Sequence, residues 1–233
     1  GFMTQLSDSV SRPIINASTL ENEVTVVLPR FMQHYYQWLS NKPRLSACQQ
    51  RLLAWDTRLC LRVNLLSQRH LVAKGFKLIS RLGDGWAWAL ACVVFIISLL
   101  WQGEAVVVVM AKLAAVILSS FCGYLLYKLL KSHTVRPRPY QVHQAIMLGE
   151  RPLDVFSFPS GHTLQAVLFT IMLGSQVPMM LWLLLPFTLL IALSRLVLGL
   201  HYPTDVLVGA GIGATFASIG KAVSSTLIER YMI

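Results

Sequence analysis

Apolar and polar positions divide the chain into a polar start, a basic amphipathic stretch and a series of long apolar runs. Residues 1–45 are polar and irregular, apart from a short apolar patch at Val24 to Leu28, and predict a tail. From Ser46 to Leu82 the pattern turns helical. Arg51, Arg58, Arg62, Arg69, Lys77 and Arg81 recur at spacings of seven, four, seven, eight and four, which keeps them near one helix face. Leu52, Trp55, Leu59, Leu66 and Ile79 lie elsewhere around it, and no segment here is long and uncharged enough to span a bilayer. One or two helices lying on an anionic membrane surface fit this pattern. A basic solvated face packed on a bundle fits it as well.

After Leu82 the apolar runs predict five spans. Gly83 suits a helix end and Asp84 an N-cap. The first span is Gly85 to Trp101, with Trp86, Trp88 and Trp101 marking its interfaces. A turn at Gln102, Gly103 and Glu104 leads to a second span, from Ala105 to about Leu130, with Lys112 near enough to one end to snorkel. A polar loop occupies Lys131 to His162. Thr163 to Leu193 is too long for one ordinary span and breaks at Gly174 to Pro178. Arg195 to Tyr202 connects to a fifth span, from Pro203 to about Ile219, where Gly209, Gly211 and Gly213 permit close helix approach. The expected fold is an all-α integral membrane bundle of about five transmembrane helices with N-terminal amphipathic interfacial helices. Its expected parts are a tail (1–45), interfacial helices (46–82), the transmembrane bundle (83–221) and a C-terminal tail (222–233).

Composition strengthens the membrane assignment. The chain is 55% hydrophobic and 13% charged, against about 25% charged for soluble domains, and its mean hydropathy is +0.59. A net charge of +10 would suit nucleic acid, but the apolar content argues instead for membrane lipids and an anionic substrate as partners. Cys48, Cys60, Cys92 and Cys122 form no CxxC pair and read as free structural thiols. Gly1 and Phe2 precede Met3 and read as remnants of cloning, and the polar, proline-broken start predicts no signal peptide.

Three groups of chemically capable residues stand at the ends of the spans, all on the same membrane face. Lys131 and Arg138-Pro139 follow the second span. Pro159-Ser160-Gly161-His162 precedes the third. Ser194-Arg195, His201 and Asp205 lie between the fourth and fifth. Lys131, Arg138 and Arg195 supply fixed cations, and arginine suits bidentate contact with phosphate oxygens. Ser160 and Gly161 open a helix whose free N–H groups favour an anion. Such a cradle stabilises a phosphoryl group in transfer without a metal or other cofactor. His201 and Asp205 are four residues apart, so a carboxylate can orient the imidazole that attacks phosphorus. His162 can then protonate the leaving oxygen and activate water.

Singly, each residue has a plainer role as interface anchor, flanking charge or helix cap. Four specified positions such as PSGH arise with odds of about one in 10^5 per window, however, and here two further groups accompany them in order.

At these residues the sequence resembles the type 2 phosphatidic acid phosphatase family. That family's signature is K-x6-RP, PSGH and SR-x5-H-x3-D, present here as Lys131 with Arg138-Pro139, Pro159 to His162, and Ser194-Arg195 with His201 and Asp205. The resemblance implies a helical core over roughly Leu52 to Ile219 and a phosphohistidine at His201 oriented by Asp205. It implies His162 as acid and base, and phosphate binding by Lys131, Arg138, Ser160, Gly161 and Arg195. Known members act on phosphatidate, phosphatidylglycerophosphate, polyprenyl diphosphates and lipid A phosphates. Soluble vanadium haloperoxidases share the cradle, but five spans argue against that branch. The same residues would also serve phosphate transfer to a lipid acceptor, or a non-catalytic binder or transporter of lipid phosphates.

Many bacterial members have six spans where five are counted here. The expected location is the cell (inner) membrane. Seventeen of the 20 Lys and Arg residues lie on the site's face, which by the positive-inside rule is cytoplasmic, whereas characterised relatives mostly face outward.

Overall fold

The computed structural model describes residues 47–134, 136–143, 145–152 and 154–231. The expected N-terminal tail, with its apolar patch and His34, lies outside the described residues. Regular structure among the described residues is helical: α1 (Ala47–Asn64), a 3-10 turn (Leu65–Gln68), α2 (His70–Leu82), α3 (Trp86–Trp101) and α4 (Val106–Thr134). Then follow α5 (Pro139–Val142), α6 (Gly161–Gly174), a second 3-10 turn (Pro178–Met180), α7 (Leu181–Val197) and α8 (Pro203–Tyr231).

Among the described residues, three helical segments are long and apolar enough to cross a membrane: α4, α7 with its preceding 3-10 turn, and α8. The α2–α3 pair passes the same test only as one segment bent by 55°, which makes a fourth. α6 is apolar but has only 14 residues, about 21 Å at the helical rise and short of a hydrocarbon core about 30 Å thick. Apolar helices therefore occupy all five expected runs, while three to four segments have the dimensions of a span. Only 28% of the α4 window and 17% of the α8 window is buried within the protein. So much outward-facing apolar surface suits lipid and not water.

α6 is the centre of the bundle, packed against α3, α4, α7 and most extensively α8. Gly209 and Gly213, four residues apart on α8, make that approach possible, because a Cβ at either would overlap the carbonyl of Ser160 or Leu164. Gly211 faces open space. Phe95, Leu99, Val116, Leu168, Met172 and Ile191 fill the apolar core.

Several local expectations change. Trp86 and Trp101 are exposed, as interface markers should be, but Trp88 is buried and stacks on Phe169 at 5.2 Å. Its indole N–H donates to the Gly83 carbonyl at 3.2 Å, so it belongs to the core. Lys112 does not simply snorkel; it pairs with Glu104 at 2.5 Å. α8 continues to Tyr231, so residues 222–231 extend the helix and are not a tail. Asp84 makes no cap; Gly85, with φ 139°, is the N-cap of α3.

α1 has two unlike faces. Arg51, Leu52, Trp55, Arg58 and Arg62 are exposed, as an interfacial helix requires. Asp56, Cys60 and Asn64 are buried at successive i,i+4 positions. Asn64 donates to the carbonyls of Val197 at 2.8 Å and Met147 at 3.0 Å, and accepts from the Met147 N–H at 2.9 Å. The helix is therefore also a strut beneath the loops.

Candidate active site

The C-terminal ends of α4 and α7 meet the N-terminal ends of α6 and α8. Lys131 lies in the last turn of α4, Arg195 in the last turn of α7, His162 in the first turn of α6 and Asp205 in the first turn of α8. The Ser160 N–H donates to the Asp205 carbonyl at 3.0 Å, which ties the starts of α6 and α8 together.

His201 is buried just before α8. Its Nδ1 lies 2.6 Å from the Ser157 carbonyl, which can only accept, so Nδ1 carries the proton and Nε2 keeps its lone pair. Nε2 faces the Arg138 guanidinium at 3.4 Å. Burial, reinforced by the charge of Arg138, holds the imidazole down at about 3 against the pull of Asp205, so the ring is neutral near pH 7.

Asp205 lies 3.8 Å from Nδ1, beyond a direct hydrogen bond. The two residues meet, as their four-residue spacing predicts, but at ion-pair distance, because His201 precedes the helix. A relay supplements the pair. The Asp205 carboxylate accepts from the Ser157 hydroxyl, from the Tyr202 N–H at 2.8 Å and from Arg136 at 2.6 Å, and Ser157 in turn holds the imidazole.

Lys131 and Arg138 converge on one carboxylate. Asp154 accepts from Lys131 Nζ, Arg138 Nη2 and the Tyr127 hydroxyl, each at 2.6 Å. Arg138 also donates to the carbonyls of Leu200 at 2.7 Å and Asp154 at 3.0 Å. Burial opposes ionisation of Asp154, but hydrogen bonds from Lys131 and Tyr127 and the charges of Lys131 and Arg138 outweigh it and hold its pKa at about 2.

Arg195 and His162 form a second group. Arg195 Nη1 donates to Ser80 Oγ at 2.9 Å, and the Ser80 hydroxyl donates to Glu150 at 2.5 Å. Arg195 Nε is buried without a hydrogen-bond partner among the described residues. His162 Nε2 meets Asp84 Oδ1 at 2.5 Å. That hydrogen bond, followed by the charges of Arg195 and Arg81, outweighs burial and lowers the Asp84 pKa. Ser160 is buried, with its hydroxyl paired to Thr163 at 2.9 Å and its N–H given to Asp205. Gly161 lies beneath Tyr127, where a Cβ would come within 2.9 Å of the ring.

A family model, the PAP2 superfamily, matches residues 104–228, more than half of the chain and all of the residues above except those before α4. The chain belongs to the PAP2 superfamily. Over 106 residues it is 34% identical to decaprenylphosphoryl-5-phosphoribose phosphatase of Mycobacterium tuberculosis, covering 45% of this chain and 56% of that protein. The match to undecaprenyl-diphosphatase of Sulfolobus acidocaldarius is 25% identical and covers 64% of this chain and 68% of that one. The crystal structure of a transmembrane PAP2-type phosphatidylglycerolphosphate phosphatase from Bacillus subtilis superposes with a TM-score of 0.61 at 21% identity, over 76% of this chain and 88% of that one. That of Aquifex aeolicus LpxE gives 0.51 at 25% identity, over 69% and 92%.

Around its signature residues this PAP2 protein uses side chains that the spacing of the signature does not mark. Arg136 bridges Asp205 and the buried Asp56 at 2.6 Å each, and stacks over Tyr202. Asp56 also accepts from the Thr204 N–H at 2.9 Å and the Thr204 hydroxyl at 2.5 Å. One signal was available: Asp56 is the only acid between Ser46 and Leu82. Asp154, Asp84, Tyr127 and Ser80 carry no comparable mark. His133 and Arg151 are exposed, and His143 lies edge-on to Tyr202 at 6.4 Å.

Proposed function

We propose that this protein hydrolyses the phosphomonoester or diphosphate of a membrane lipid, without a metal, through a phosphohistidine at His201. The observation that carries this reading is the buried, neutral His201, its lone pair on Nε2 facing a guanidinium. A phosphoryl group held by Arg138 and Lys131 comes within reach of that nitrogen. Nε2 attacks phosphorus, the bond from phosphorus to the leaving oxygen breaks, and His162 gives that oxygen its proton. The ring then carries positive charge, which the Ser157 carbonyl and the Asp205 carboxylate stabilise. In the second half, His162 takes a proton from water, the hydroxide attacks phosphorus, and the P–N bond breaks to release phosphate. The buried Arg195 Nε supports anion binding, because an unpaired buried donor is costly until a ligand oxygen accepts from it.

A lipid substrate fits the outward-facing apolar helices and the relatives, which are named for decaprenyl-linked and undecaprenyl substrates. Polyprenyl phosphates and diphosphates therefore lead the panel, followed by phosphatidylglycerophosphate and phosphatidate. Purified protein should release phosphate in EDTA, stop with vanadate, and give an alkali-stable phosphoenzyme from radiolabelled substrate. A phosphate release that EDTA abolishes, with no labelled protein, would sink the mechanism. We place the protein in the inner membrane with the site on the cytoplasmic face, as the charge bias favours. A cysteine at the exposed Ser132, in a cysteine-free background, should then react only after the membrane is made permeable. Reaction in intact cells would reverse the orientation.

A further inference from the structure

We propose that Asp84 is the positioning residue for His162, holding its imidazole in place and opposing the loss of the proton it gives to the leaving group; this rests on the acid role given to His162 above. Asp84 sits in a Gly83-Asp84-Gly85 turn at the 55° bend between α2 and α3. Gly85 takes φ 139°, which side-chain-bearing residues rarely adopt, and the turn carries Asp84 over the start of α6. Its carboxylate is not used as a helix cap; it meets His162 Nε2 at 2.5 Å. A carboxylate at that nitrogen fixes the ring orientation and favours the imidazolium form.

The pair also borders a cavity of about 250 Å³ between α4 and α6, lined by Asp84, His162, Tyr124, Tyr127 and Gln165 among others. A leaving group lodged there lies beside the imidazole that must protonate it. The other charged groups acting on this pair are Arg81 from α2, Arg195 from α7 and Glu150 from the loop before α6.

The test uses the full chain in detergent with two phosphomonoesters. An alkyl lipid phosphate leaves as a strongly basic alkoxide and needs the acid, whereas p-nitrophenyl phosphate leaves as a stable phenolate and does not. Asp84→Asn should lower kcat/KM, which reports the step that expels the leaving group and not the later attack of water, by about 10- to 100-fold on the alkyl ester and by no more than about threefold on the aryl ester. The basic limb of its pH–rate profile on the alkyl ester should move to lower pH, and Asp84→Glu should recover part of the loss. Equal loss on both esters, or an unmoved limb, would overturn the proposal in favour of a structural role. His162→Ala separates the two layers of inference. Selective alkyl loss there without any in Asp84→Asn overturns the role of Asp84 alone. No selective loss in His162→Ala removes the acid assignment, and this proposal with it.

Discussion

The two histidines of the site live in different surroundings. His201 is buried beneath the loops and held by Ser157, and the acids and cations around it form two groups, Arg136 with Asp56 and Asp205, and Asp154 with Lys131 and Arg138. His162 is less deeply buried, its side chain 16% exposed against 3% for His201, and among the described residues it pairs with Asp84, which is 38% exposed. A nucleophile must stay neutral and aimed, which burial and a fixed network provide. An acid must exchange protons with leaving group and water, which the more open position permits. The proposed division of chemical labour follows the division of solvent access.

The largest effect tests the buried half. His201→Ala should lower kcat by about 10^4-fold or more, because it removes the proposed nucleophile. Activity within tenfold of the parent would mean that the nucleophile lies elsewhere.

Next comes the network behind it. Arg136→Ala leaves Asp56 and Asp205 buried without their shared cation, and should destabilise the protein by about 3–5 kcal/mol. Thermal unfolding in detergent measures this. Arg136→Lys should recover only part, since an ammonium lacks the planar fork that reaches both carboxylates. An unchanged unfolding temperature would show that this network adds no stability.

The smallest effect concerns the carboxylate now held by Lys131 and Arg138. Asp154→Asn removes a charge that competes with substrate phosphate, and should tighten inhibition by inorganic phosphate about tenfold, roughly 1.4 kcal/mol. Its pKa is depressed on folding, so its stabilisation is complete above the unfolded value of about 3.9 and is lost as pH falls through about 2. The parent should therefore lose stability across that acid window more steeply than Asp154→Asn. Weaker phosphate inhibition in the variant would show that Asp154 organises the cations and does not compete with the anion.

Much was legible in the sequence. Long apolar runs with polar breaks located the helices from Trp86 to about Ile219, because a helix in lipid must be apolar over most of its surface, but did not carry the last one on to Tyr231. The signature residues were readable because their chemistry demands particular side chains at particular chain positions, and they converge at one end of the bundle. Hydrophobic periodicity does not reveal the Asp56–Cys60–Asn64 stripe, since its buried face is largely polar and that signal marks apolar faces. Nor could it tell Trp88, a core residue, from Trp86, an interface residue two positions away.

The sequence alone determined the family and the groups proposed to bind and transfer a phosphate, because side-chain chemistry is local. Only the tertiary structure decided which charges face one another. Asp84 and His162 are 78 residues apart, Asp56 and Arg136 80, and no local pattern encodes pairs joined by the packing of separate helices.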